Sequence, residues 1–314
     1  MKTQIRNNTH LLKTDLKSIN TSKLTKDINC STNKFYSLWA SLIAVVIWAL
    51  LPVLVKLVVV NEDISSFLAQ RFLFSTILFC WLIPKSLNKL RRLQFYKACY
   101  FILIISGNYY LQTYALRQVP ASWYIIVYAL NPILTLLFIR HRFVASTYAG
   151  LALALLGIYL FYYERAELIS TIKPITLVIL LSGMFTWSLY VVLIKELHGV
   201  YSDIEIVTLT NLFAFLTSIC IWIATGAIIS RVNTSQLILT IAIGLIVPVA
   251  YFLFSYGLRR FQVFSINIQY LEPIISLYFA SLILHENINK IQYFAGIIVL
   301  IGTLIGSGIF IKRA

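Results

Sequence analysis

From residue 36 onward the chain is a succession of apolar runs, most of them long enough to cross a bilayer, which takes about 20 residues of helix. They fall near 36–60, 64–84, 98–116, 120–139, 145–163, 174–195, 204–228, 236–257, 262–284 and 291–311, with connections too short for a soluble domain. Backbone N–H and C=O groups find no water in hydrocarbon, so each run must satisfy them internally as a helix. The expectation is an all-α integral membrane protein with ten transmembrane helices. Composition agrees, since 60% of the 314 residues are apolar and only 12% are charged. A soluble domain carries about a quarter charged residues, so here lipid must replace water over part of the surface.

Residues 1–35 differ: they hold seven Lys/Arg, many Asn, Ser and Thr, and no apolar h-region of a secretory signal. They predict a flexible basic cytoplasmic tail. The net charge of +15 does not indicate nucleic acid, because the basic residues are dispersed among apolar runs. They act instead as topology signals. With the N-terminus inside, 19 Lys/Arg fall on inner segments and 5 on outer ones, while Lys56 and Arg71 lie within spans. This bias predicts that both termini are cytoplasmic in a multi-pass protein of the bacterial inner (plasma) membrane. Cys30, Cys80, Cys99 and Cys220 have no metal-ligand spacing, and no metal or disulfide is expected.

The run Trp48-Ala49-Leu50-Leu51-Pro52-Val53-Leu54-Val55-Lys56 returns 139 residues later as Trp187-Ser188-Leu189-Tyr190-Val191-Val192-Leu193-Ile194-Lys195. Two further echoes follow in the same order. Ala115-Leu116-Arg117 leads to Asn131-Pro132, as Gly257-Leu258-Arg259 leads to Glu272-Pro273. Ala149-Gly150 and Leu156-Gly157 are matched by Ala295-Gly296 and Ile301-Gly302. The chain therefore divides into the tail and two five-helix repeats, 36–163 and 174–311. Five is odd, so the second repeat must cross the membrane in the opposite direction to the first, as an inverted repeat.

With these motifs the chain resembles the EamA family of ten-span carriers, within the drug/metabolite transporter (DMT) superfamily. The likeness covers roughly residues 36–311. It rests on Trp48 to Lys56, Arg71-Phe72-Leu73, Tyr109-Tyr110 with Tyr114-Ala115-Leu116, and Pro132. In the second half it rests on Tyr256-Gly257-Leu258-Arg259, Leu271-Glu272-Pro273 and Leu284-His285-Glu286. Two departures stand out. His285 replaces the family's Gly in Leu-Gly-Glu, and the first half reads Ile139-Arg140-His141-Arg142 where an equivalent Glu is absent. The resemblance implies a substrate-translocating membrane protein, often an exporter of amino acids or other small metabolites.

An ionisable side chain within a span costs about 2.5–3.5 kcal/mol on insertion scales, so it calls for a reason. Glu272 is the most central, with Pro273 directly after it. It is read as a contact for a substrate amine, an acceptor for a coupling proton, or a structural partner for a basic side chain. Asn131, its repeat-related counterpart, places a second polar group before a Pro. Trp48, Trp187, Tyr110, Tyr190 and Gln269 are further candidates for a substrate path. Lys56 and Arg71 are candidates for a gate, a charge pair or a carboxylate contact, and Lys195 for snorkelling to the headgroups. The glycines read as close helix packing.

No catalytic residues are expected, because no nucleophile with a base, metal cluster or phosphate loop is visible. The reading is a secondary active transporter of a small metabolite, most directly an exporter of amino acids or related compounds, working by alternating access. Two alternatives remain: an importer of an anionic metabolite through Lys56 and Arg71, and a non-transporting scaffold or accessory subunit. No cofactor is expected. The partners expected are a small-molecule metabolite, a coupling proton and membrane lipid, in a monomer or homodimer.

Overall fold

The computed structural model describes residues 35–90, 95–139, 145–163, 172–226 and 233–306. The tail through residue 34, residues 140–142 and the end of the last expected span at 307–311 lie outside the described residues. Those described are helical without strands. In chain order the helices are α1 (Phe35–Val59), α2 (Ile64–Leu78), α3 (Ile83–Leu90), α4 (Phe95–Gln118), α5 (Ala121–Tyr128), α6 (Asn131–Phe138) and α7 (Ala145–Tyr163). Then follow α8 (Pro174–Leu197), α9 (Asp203–Thr225), α10 (Thr234–Arg260), α11 (Gln262–Asn267), α12 (Glu272–Ile283) and α13 (Lys290–Gly306).

Helix occupies part of every expected run, but length and apolarity qualify fewer of them as spans. Six qualify: α1, α5 with α6, α8, α9, α10, and the stretch Phe264–Ile283; the pair Ile64–Leu78 and Cys80–Leu90, bent by 69°, makes a seventh. The helix α4 is long enough but carries Lys97, Asn108, Gln112 and Arg117 along its length. In α7 and α13 the apolar stretches that can be scored are shorter, at Tyr148–Tyr163 and Lys290–Gly302. The bend in the α2–α3 pair falls beside Pro84, whose ring removes a backbone donor.

Local chemistry sets the helix ends. Asp63 caps α2 by accepting from the Ser66 N–H at 2.9 Å. Ser202 and Glu205 form a reciprocal capping box at the start of α9, and Gly226 ends it in the left-handed conformation with φ 60°. The surface is apolar as well as the core, and part of the polar complement is buried. Leu103 is 72% exposed and Ile223 69%, whereas Ser37, Ser41, Asn108, Thr113 and Asn211 are buried. Exposed apolar area on this scale needs lipid to cover it.

Packing follows the repeats. α7 and α13 run antiparallel with their glycines at the contact. A Cβ on Gly157 would lie 2.8 Å from the Ala295 carbonyl oxygen, and one on Gly302 would lie 2.7 Å from that of Gly150. Both therefore permit the backbones to touch. Each repeat's first helix also packs on the other repeat's broken span. From α12, the Ser276 hydroxyl donates to the Ala49 carbonyl of α1 at 2.6 Å, and Ser188 of α8 donates to the Asn131 carbonyl at 3.3 Å. α5 packs on α12 and α6 on α11, so the two broken spans are antiparallel as well.

Candidate functional site

Two helix breaks organise the centre of the molecule. α5 stops at Tyr128 and α6 begins at Asn131 with Pro132 behind it. α11 stops at Asn267, a 3-10 turn follows over Ile268–Leu271, and α12 begins at Glu272 with Pro273 behind it. Proline supplies no N–H to the preceding turn, so the helical ladder is interrupted at both places. Asn131 and Glu272 thus stand at matching breaks of antiparallel spans.

Between them lies a cavity with about 380 Å³ of space not filled by atoms. Trp48, Leu51 and Pro52 of α1 line it, together with Tyr124, Tyr128 and Asn131 of the first broken span. Gln112, Trp187, Tyr251 and Glu272 complete the wall. The repeated tryptophans meet here, Trp48 edge-to-face with Trp187 at 5.1 Å between ring centroids. Tyr109 and Tyr251, each eight residues before the arginine of its repeat, also meet, at 6.2 Å. Residues related by a two-fold axis touch only on that axis, so the cavity lies where the repeats converge.

Of the lining residues, Trp48, Trp187 and Tyr251 form one cluster, their rings mutually 5.1–5.8 Å apart. Tyr124 and Tyr128 form a second pair, stacked at 4.1 Å. Three buried polar atoms of lining residues have no hydrogen-bond partner: Trp48 Nε1, a donor, Asn131 Oδ1, an acceptor, and the Tyr128 hydroxyl, which can be either. Buried polar groups are nearly always bonded, so these atoms are free to take a water or a bound molecule in the cavity.

The structure thus brings Trp48, Trp187, Asn131 and Glu272 to one cavity. Gln269 stands behind it, accepting from Trp187 Nε1 at 3.3 Å and so orienting the indole. Tyr190 is also one layer back, its ring 5.6 Å from Trp187 and its hydroxyl bonded to Thr210. Tyr110 lines a different, wider cavity with Asp63, Ser65 and Thr225. Tyr124 was missed in the sequence, although 124, 128 and 131 form an i, i+4, i+7 helical stripe ending at Asn131.

Lys56 and Arg71 do not line the central cavity. Lys56 Nζ donates to the carbonyls of Leu116 at 2.7 Å, Val119 at 2.8 Å and Arg117 at 3.3 Å, which close the C-terminal end of α4. On the other side of the same corner, the Ala121 and Ser122 N–H groups donate to Glu286 at 2.7 and 3.1 Å. A cation on helix carbonyls and an anion on helix N–H groups both complement the helix dipole. His285, which delivers Glu286, has φ 53° and is the one non-glycine at positive φ among the described residues. That backbone explains why the resembled family places Gly there. Arg71 is 3% exposed, with its guanidinium 4.9 Å from the Phe72 ring and 5.4 Å from the Tyr109 ring.

The repeat-related corner after α10 is held differently. Asp203 ion-pairs with Arg259 Nε at 2.9 Å and accepts from Arg260 Nη1 at 3.4 Å, while Arg259 also donates to the Tyr201 carbonyl. Ser255 donates to Asp203 at 3.3 Å and bonds His198 at 2.8 Å. Burial first, then the nearby Arg259 charge, holds His198 down to about pKa 4, so at neutral pH it is a neutral member of this network. Beside it, Glu205 pairs with Lys89 at 2.7 Å.

Comparison with curated proteins gives no match. A solved structure, titled only as the crystal structure of a protein, has the same fold at a TM-score of 0.66 and 18% identity, over 86% of this chain and 95% of that one. The model of the EamA-like transporter family matches residues 35–163 and again 174–307. With both halves matched and most of the chain covered, this multi-pass membrane protein belongs to the EamA-like transporter family, of the drug/metabolite transporter type.

Proposed function

We propose that the chain is a secondary active transporter of a small, amine-bearing metabolite, such as an amino acid or a related compound. It would work by alternating access around the central cavity. In this reading ten spans form two inverted five-helix repeats, in the bacterial inner membrane, with both termini and the basic tail cytoplasmic. The observation that carries the proposal is the position of Glu272: a carboxylate at a helix break, in a cavity where repeat-related residues meet. Broken helices at such an interface are where carriers of this architecture build their sites.

Rocking one repeat against the other would expose this cavity to each side in turn. Glu272 would take either a proton or the substrate's ammonium group, and exclusion of one by the other would couple the two movements. Asn131 would bond the substrate from the opposite break, and Trp48 and Trp187 would cover it. The anion-import alternative is not favoured, because Lys56 is held by three carbonyls and neither it nor Arg71 lines the cavity. A scaffold would have no use for a polar void between its repeats.

The test is uptake by proteoliposomes, screened with labelled amino acids and amines. Glu272→Gln is expected to reduce uptake to the background of empty liposomes while the purified variant keeps its helical circular dichroism. Uptake at the native rate would remove Glu272 from the mechanism.

A further inference from the structure

We infer that, within the amine-bearing class proposed above, the central cavity binds organic cations lacking a free carboxylate (monoamines, amino alcohols and amino amides) more tightly than zwitterionic amino acids. This rests on reading the cavity as the substrate site. The first argument is charge balance. Glu272 is the only formally charged residue among those described as lining the cavity. A buried charge is costly unless paired, so the lone carboxylate is best matched by a net monocation. An amino acid would satisfy Glu272 with its ammonium but bring a second carboxylate into the same small space. Arg71 does not line the cavity: its guanidinium lies over the rings of Phe72 and Tyr109, one layer behind Tyr251, with its Nε and Nη2 unbonded there.

The second argument is the wall. Five aromatic residues line it, Trp48, Trp187, Tyr251, Tyr124 and Tyr128, and aromatic rings attract cations over their faces. The third is the set of orphaned atoms, to which the Tyr128 hydroxyl, a donor or an acceptor, also belongs. Asn131 Oδ1 needs a donor, which an ammonium N–H supplies, and Trp48 Nε1 needs an acceptor, which a neutral hydroxyl or amide oxygen supplies. An amino alcohol meets both without adding negative charge.

A matched series isolates the charge: leucinol (a cation), leucine (a zwitterion) and 4-methylpentan-1-ol (neutral), titrated at pH 7.5 onto the detergent-purified full chain. Tryptophan fluorescence reports the cavity through Trp48 and Trp187, and a thermal shift gives an independent readout. Leucinol is expected to bind saturably and at least about tenfold more tightly than either of the others, the effect of roughly one ion-pair or cation–ring contact. Glu272→Gln should erase the preference for leucinol over the alcohol, and Glu272→Asp, which keeps the charge, should retain it. Leucine binding as tightly as leucinol, or a flat leucinol titration, overturns the inference. The transport reading fails separately: leucinol that binds but is not carried into proteoliposomes removes the carrier and leaves the charge rule. Leucine carried in a Glu272-dependent way does the reverse.

Discussion

The corner between α4 and α5 and the corner after α10 are repeat-related in sequence, yet they are locked by opposite means. At the first, charged side chains from distant parts of the chain, Lys56 and Glu286, bond backbone groups. At the second, the corner's own arginines reach out to Asp203. Duplication supplied the same turn twice, and the lock then diverged. In the proposed orientation the two corners face opposite sides of the membrane. A carrier must open its two sides alternately, and unlike locks allow each side its own strength and its own response to pH.

The largest expected effect tests the second lock. Asp203→Ala strands two arginines and should destabilise the protein by about 2–4 kcal/mol, less than a fully buried pair because the arginines are partly exposed. Chemical denaturation followed by circular dichroism measures it; a loss below half a kcal/mol would mean that the arginines find other partners. Next, Lys56→Met keeps the apolar stem and removes the three carbonyl contacts. A loss of about 2 kcal/mol is expected, since bonds made by charged groups are the stronger ones. If stability holds, α4 closes without its cation and the contrast between the corners collapses.

Smaller effects sharpen the contrast. His285→Gly should stabilise the first lock by about 1 kcal/mol, because glycine adopts φ 53° without strain. A destabilised variant would show that the imidazole makes up for the strain. The last prediction concerns pH. His198 sits at about pKa 4 in the folded protein against an ordinary value of 6.5. The unfolded chain therefore binds the extra proton first, and the network's contribution is full above pH 6.5 and declines as pH falls toward 4. Allowing for partial solvation, the decline should be on the order of 1 kcal/mol. Denaturation midpoints across that window should fall in the native protein and flatten in His198→Gln; parallel slopes would assign the decline to other groups.

Much of the scaffold was legible in the chain. Apolar runs marked the helices, and Asn131-Pro132 and Glu272-Pro273 marked the breaks, because proline's missing donor acts locally. The repeated tryptophans were legible as duplication and as candidates for the substrate path, but not as touching residues. Length and apolarity nevertheless qualify only six or seven spans, since α4 carries the polar groups that bond its neighbours. The site was only half legible. Helices that are apolar on every side show no stripe that says which face turns inward, so Tyr110 was grouped with a cavity it does not line, while Tyr124 was passed over.

By itself, then, the sequence determined that the chain is helical, membrane-embedded and duplicated, and where its helices break. These follow from hydropathy, from proline and from the repeat, all of which act over a few turns or are written directly in the order of residues. Tertiary structure alone decided what each polar side chain meets: Lys56 its three carbonyls, Arg71 its rings, Asp203 its two arginines, and Glu272 a cavity walled by aromatic residues. Phe72 beside Arg71 apart, those partners lie tens to hundreds of residues away in the chain. Their meeting depends on the rotation and crossing of packed helices, which close contacts such as those at Gly157 and Gly302 set and hydropathy does not.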